Sequence, residues 1–509
     1  MKTAIVTVVL AVATAGSGWA ATSTPKGTGA TDLHVYHLQQ VLGTSLDIKL
    51  RASSDAKADR AEAAILDEFE RENLILSAWT PDSEFSRWAK THGTAEHVSP
   101  ELLEVLSLFD AWRAKTGGAL DASAEAAVQV WKRAAAAGRT PTDAELAQAV
   151  AQMQRPHWSL DAKAGTAMHV DDAPIALNSF AKSYIASHAA DAALASGATG
   201  VVLNVGGDLV LRGNITDNVA IADPRADAEN DRPVDMVRLN AGAIATSGSY
   251  RRGVDVGGVH YSHIVDPRTG MAVDHVLSST VVAPDAAEAG ALATAFSVMS
   301  PAESVRLASK MDGVQYLLML RDGRRIASPG WYRLEMPRLR PASYSPQGGR
   351  TAAKTPATSL DLLVTLEIAR AQSPRYRRPY VAVWVEDAEG APVRAISLWS
   401  EKPRYLNELR RWYRDYPSSR MNGGELSPSV SSATRSPGKY TLRWDGTDDK
   451  GNPLKPGKYT VLVEAAREHG GYDLMHQEIN WDGKTPQQFS LPEGHELAGV
   501  QLDYGKHGE

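Results

Sequence analysis

From Ser343 to Ser359 the chain is built of Ser, Pro, Gly, Thr and Ala with almost no large apolar side chain. Such a stretch has nothing to bury, and 341–359 reads as a linker. It divides the chain into two cores, as a length of 509 residues already favours. The two sides carry different periods. Ahead of the linker, Ala58, Ala61, Ile65 and Phe69 recur at helical spacing. Behind it, Val381, Val383 and Val385 alternate with Ala382 and Trp384, the period of a half-buried strand.

The first region, 31–340, mixes helices and strands. Ser99-Pro100 predicts a helix start, with Leu102, Val105, Leu106, Phe109 and Trp112 on one face. Thr142 and Glu145 predict a capping box. Gly200 to Leu211 reads as a strand interrupted by Gly206-Gly207. Leu277 to Ala283 predicts another strand, followed by a helix over Ala286 to Met299. The second region, 360–509, reads as a small, mostly-β sandwich. Val393 to Trp399 is the expected hairpin partner of the strand at Val381, and Tyr405 to Tyr413 a short helix. Two further strands flank the turn Asp448-Asp449-Lys450-Gly451.

The formal net charge of −6 argues against a nucleic-acid partner, which would leave a basic footprint. Residues 1–20 read as a secretory signal peptide: Lys2, a short apolar core, then Gly18-Trp19-Ala20 before the expected cut. No later run of about 18 apolar residues predicts a membrane span. The chain has no Cys, so neither a disulfide nor a lipid-anchored cysteine is expected. A periplasmic protein fits.

The chemistry concentrates in Ser262-His263-Ile264-Val265-Asp266-Pro267-Arg268-Thr269-Gly270. An imidazole titrates near neutral pH, so His263 can take a proton from a hydroxyl. Asp266 serves equally well as a turn former or as an aid to that base. Upstream come Thr246-Ser247-Gly248, Gly206-Gly207-Asp208 and Ala181-Lys182. Together and in this order, these motifs resemble the ApbE family of FAD:protein FMN transferases. The resemblance covers about 31 to 335 and implies an α+β flavin-transferase fold. It implies an enzyme that moves FMN from FAD to a Thr or Ser of a periplasmic or membrane-associated acceptor protein, with Mg2+. The second region resembles a domain of unknown function fused behind some members, with an Ig-like W-D-G…G-x-Y-T pattern.

The resemblance also assigns residues. Leu42-Gly43-Thr44 resembles the family's M-G-T, and Ser77-Ala78-Trp79 its S-x-Y/W. Gly118-Ala119-Leu120-Asp121 resembles G-A-F-D. This implies that Leu42, Trp79, Ala119, Leu120, Asp121, Asn178, Tyr184 and Ile264 contact the flavin nucleotide. Metal ligands would be the Ala181 carbonyl and Thr294. The family's further Asp, one turn before that Thr, is Gly290 here, and a second carboxylate position is Ser187. Weak Mg2+ binding follows, and Gly290→Asp is expected to improve it. A degenerate FAD-binding protein with little transfer is the alternative. Finally, Ser431, Ala433 and Thr434 match the family's acceptor segment D-x-x-S-G-A-T in part, so Thr434 reads either as an internal acceptor or as an ordinary loop residue.

Overall fold

The computed structural model describes residues 32–336, 360–369, 378–399, 403–416, 431–432, 438–467 and 470–507, less 227, 229, 232, 250 and 251. The signal segment, the linker and Thr434 lie outside the described residues.

The first region is organised by an eight-stranded sheet. Its order is Asp32–Val41, Thr44–Ala52, Gly200–Val205, Asp208–Gly213, Gly242–Gly248, Val276–Ala283, Gln315–Leu320 and Arg325–Ala327. Each neighbour pair is antiparallel. Side chains alternate between the two faces of a strand. Val201, Leu203 and Val205 enter the larger core, whereas Val202 enters a smaller one behind the sheet. The larger core holds the buried faces of helices Asp55–Leu76, Pro100–Lys115, Ala181–Ala195 and Ala286–Val298. The smaller is closed by the hairpin Asp217–Ile221 with Asp235–Leu239 and by Trp331.

Local signals behave as physics requires. The Ser99 hydroxyl accepts from Leu102 N at 3.3 Å, and Thr142 with Glu145 forms the capping box. Gly206 and Gly207 do not merely interrupt a strand. At φ +61° and +103° they form the two-residue turn of a hairpin, joining Gly200–Val205 to Asp208–Gly213. A Cβ on Gly206 would overlap the Thr44 side chain, so this glycine also lets two turns meet.

The second region is a two-sheet arrangement around a shared apolar core. One sheet runs Gly438–Trp444, Asp361–Ile368, Leu497–Gly505, Gln487–Leu491; the other runs Ser431–Ser432, Pro392–Trp399, Tyr380–Glu386, Gly457–Ala466, Tyr472–Trp481. The strands on either side of Asp448–Gly451 therefore belong to different sheets, and that turn carries the chain across the sandwich. Tyr380–Glu386 is buried on both faces rather than half-buried. The cause is remote in sequence: Trp412, on the short helix Arg410–Asp415, packs on Trp384 with ring centroids 5.5 Å apart. The helix expected over Tyr405 to Tyr413 is split into a 3-10 turn Pro403–Glu408 and that helix.

The two regions touch. The Asn230 amide donates to the Arg443 carbonyl at 2.8 Å and accepts from Arg443 N at 2.6 Å. The Arg443 guanidinium pairs with Asp231 at 2.6 Å and also with Asp361. Asn230 thus occupies backbone groups of Gly438–Trp444, an edge strand that would otherwise offer them to another chain.

Candidate active site

Three groups of predicted residues take shape. The first is the turn at Leu42-Gly43. Leu42 has φ +49°, a left-handed conformation that costs a side-chain-bearing residue about 1–2 kcal/mol. It persists where Gly206 packs against Thr44, so the glycine hairpin supports the turn.

The second is the histidine loop. Asp266 Oδ1 accepts from Arg268 N at 2.8 Å, and its carboxylate also receives the Arg268 guanidinium at 2.9 Å. The Asp266 carbonyl accepts from Gly270 N at 2.7 Å, and Trp131 Nε1 donates to the Gly270 carbonyl at 2.9 Å. Asp266 is thereby the turn former, its carboxylate engaged by Arg268. The loop holds His263 by two contacts to one carbonyl. Its backbone N and its ring Nδ1 both lie 3.0 Å from the Arg252 oxygen. A carbonyl only accepts, so Nδ1 carries the hydrogen and the neutral ring keeps its lone pair at Nε2. The His263 side chain stays exposed, yet desolvation by the surrounding atoms, opposed by that hydrogen bond and assisted by the nearby Arg252 charge, holds its pKa below the ordinary imidazole value. The neutral, proton-accepting form is therefore the one present at neutral pH.

The third is the corner at Thr294. Its Oγ1 lies 3.3 Å from Ser247 Oγ and 3.4 Å from the Ser179 carbonyl. Nearby in sequence, Ala181 opens a helix whose N-cap, Phe180, supplies no side-chain cap. Uncapped N–H groups and the helix dipole suit an anion such as phosphate. Ser183 Oγ donates to Asp208 Oδ2 at 3.1 Å, and Lys182 Nζ lies 3.5 Å from the same oxygen. A Cβ at position 290 would stand 2.8 Å from Ser183 Oγ and 3.2 Å from Phe180 Cα. Gly290 is thus the residue that lets helices Ala181–Ala195 and Ala286–Val298 close on each other. The set at Thr294 consists of neutral oxygens and does not match the anionic set that a hard cation prefers. Asp285 cannot complete it as placed, because it caps its helix by accepting from Glu288 N at 2.7 Å.

The other predicted residues differ in exposure. Trp79 is 78% exposed, an indole face open to a ligand. Asn178 is exposed and Ile264 half-buried. Ala119 and Leu120 lie inside the main core, so only their backbone is free to meet a nucleotide. Asp121 pairs with Arg113 at 2.8 Å and caps the turn Ala122–Ala124. Tyr184 is buried, and its hydroxyl donates to Glu104 at 2.8 Å. Burial and that carboxylate push its pKa far above the phenol value. Sequence reading missed Arg252, which acts through its carbonyl and leaves no side-chain signature, and it gave Ser183 no role.

Comparison with known proteins bears on the family and the fold. The ApbE family profile matches residues 42–318, and the profile described as "Predicted periplasmic protein (DUF2271)" matches 361–498. The FAD:protein FMN transferase of Klebsiella pneumoniae (strain 342) is 29% identical over 298 residues, 56% of this chain and 83% of that protein. Its namesake from Salmonella typhimurium is 26% identical over 295 residues, again 56% and 83%. The crystal structure of the Thermotoga maritima ApbE protein superposes with a TM-score of 0.54 at 28% identity, covering 60% of this chain and all of that one. The flavin transferase ApbE from Vibrio cholerae gives 0.50 at 25% identity with the same coverage. With a profile that spans more than half of its length, this chain belongs to the ApbE family.

Proposed function

We propose that the chain transfers FMN from FAD to a Thr or Ser hydroxyl of a periplasmic acceptor protein, releasing AMP. The carrying observation is His263, fixed through Nδ1 with its lone pair at Nε2, in a member of this family. The acceptor oxygen attacks the phosphorus of the FMN half. The bond from that phosphorus to the bridging oxygen breaks, AMP leaves with the oxygen, and the hydroxyl proton passes to His263 Nε2. FAD supplies the activated phosphate. Trp79 offers the flat apolar face that an isoalloxazine ring requires, and the uncapped start of Ala181–Ala195 suits the pyrophosphate. We assign transfer to 31–340 and partner contact to 360–509. Export by the 1–20 segment would place both in the periplasm, consistent with the description of the second family; among the described residues no helix is long and apolar enough to cross a membrane. The test is incubation with FAD, Mg2+ and a peptide carrying D-x-x-S-G-A-T, followed by a denaturing gel. Covalent flavin fluorescence on the peptide is expected. Saturable FAD binding without it would favour the FAD-binding alternative, which Gly290 motivates. No saturable FAD binding would remove both readings. Mass spectrometry of Thr434 in the same mixture tests the internal acceptor.

Trp79→Ala is expected to weaken FAD binding by about 1–3 kcal/mol, roughly 5- to 150-fold, as lost aromatic stacking does. Because the indole is exposed, the melting temperature without FAD should stay unchanged. Titration of flavin fluorescence reads the first and a thermal melt the second.

The metal corner needs a revised expectation. Gly290→Asp alone places its Cβ against Ser183 and Phe180, so it should destabilise by about 1–3 kcal/mol and gain little Mg2+ affinity. Pairing it with Ser183→Gly removes the nearest clash and is expected to yield tighter Mg2+ binding by calorimetry. Equal affinities for the single and double variants would show that Ser183 does not gate that position.

A further inference from the structure

Away from the histidine loop and Thr294, helices Asp55–Leu76, Pro100–Lys115 and Ala181–Ala195 meet at a polar cluster. Glu68 and Glu72 stand four residues apart, hence on one helical face. His188 faces them from Ala181–Ala195, its Nδ1 2.5 Å from Glu72 Oε1. One ligand atom each from Glu68, Glu72 and His188 falls within 4.8 Å of the other two. Arg71 bridges the rim at 2.7 Å from Glu68, 3.0 Å from Glu72 and 2.6 Å from Glu101. Glu104 accepts from Tyr184.

Two features set this cluster apart from an ordinary ion-pair network. Four carboxylates (Glu68, Glu72, Glu101, Glu104) face one guanidinium and one imidazole, so the cluster stays negative even with His188 protonated. More tellingly, the Glu72 side chain is 0% exposed, and its Oε2 is buried without a hydrogen-bond partner among the described residues. A buried carboxylate oxygen with no donor is strongly disfavoured. Burial duly pushes the Glu72 carboxyl up, whereas the Arg71 hydrogen bond holds Glu68 down and the Glu72 contact pulls His188 up.

We propose that Glu68, Glu72 and His188 bind a divalent transition-metal cation of the Zn2+ or Mn2+ class, tying helix Asp55–Leu76 to helix Ala181–Ala195. An imidazole with two carboxylates is a mixed nitrogen–oxygen set. It suits such ions better than Ca2+ or Mg2+, which take oxygen. The cation supplies the partner that Glu72 Oε2 lacks. Arg71 keeps Glu101 when Glu68 and Glu72 turn to the metal. The role is structural, and the ligands lie on elements other than the one that carries Thr294.

The test uses the purified full chain stripped with chelator, then titrated with Zn2+, Mn2+ and Mg2+ by calorimetry, with thermal melts in parallel. Expected is one tightly bound Zn2+ or Mn2+, a raised melting temperature, and retention of both in Thr294→Val. His188→Gln should weaken that binding at least about tenfold, the minimum for loss of a direct ligand given what outer partners contribute, and abolish the melting shift. Should His188→Gln fail to fold by circular dichroism, Glu68→Gln, at a partly exposed position, gives the same readout. Equal Zn2+ and Mn2+ binding by wild type and either folded ligand variant overturns the proposal. So does binding lost only in Thr294→Val, binding of Mg2+ alone, or no binding.

Discussion

Replacing His263 with alanine is expected to slow flavin transfer by about 10²–10⁴-fold while leaving FAD affinity largely intact. The reasoning is geometric. Nδ1 is committed to the Arg252 carbonyl, so the imidazole presents Nε2 as its acceptor. Removing the ring removes proton transfer in the transition state but no large contact surface, so kcat should fall with little change in KM. The pH profile provides a second readout. The His263 pKa is lowered, so its neutral form persists further into acid than an ordinary imidazole would. The acid limb of the rate should therefore lie below pH ~6.5, the unperturbed value, and vanish from the residual activity of His263→Ala. An unchanged rate in the variant would move the base elsewhere. Asp266 is a poor successor, because Arg268 already holds its carboxylate.

Trp331→Ala should lower stability by about 3–5 kcal/mol, a large share of a typical 5–15 kcal/mol total. Trp331 is fully buried among Val237, Leu239, Ile244 and Leu317, where it closes the back of the eight-stranded sheet. Its Nε1 also donates to Asp235 Oδ2 at 2.8 Å, beside the ion pair from Arg325. The substitution therefore leaves a cavity and deprives a buried carboxylate of a donor. Trp331→Phe retains most of the volume and loses only that donor, so about 1–3 kcal/mol is expected. Urea unfolding of both variants checks the order. A loss under about 1 kcal/mol for Trp331→Ala would mean that the hairpin Asp217–Ile221 with Asp235–Leu239 is not held by this core.

Part of this molecule is written in short stretches. Ser99, Thr142 and the spacing of Ala58, Ala61, Ile65 and Phe69 act within one or two helical turns, and the helices follow them. The Ser262–Gly270 string likewise folds on itself, since Asp266, Arg268 and Gly270 bond one another. Where a partner comes from far along the chain, local reading loses its grip. The alternation at Val381, Val383 and Val385 looks half-buried until Trp412 covers the other face. Tyr184 matches a motif position, yet helix packing turns its hydroxyl to Glu104, eighty residues away in sequence. Gly290 reads as a missing carboxylate; in three dimensions it is also the contact point of two helices, with Ser183 against it.

The sequence alone determined the helix and strand periods, the caps and the order of motifs that carries the family resemblance, because each depends on residues within a few positions of one another. Only the tertiary structure decided which nitrogen of His263 is free to act, why Gly290 stays glycine, and that Glu68, Glu72 and His188 converge. Those outcomes depend on the directions of side chains and carbonyls from separate elements, and packing sets such directions only after distant segments have met.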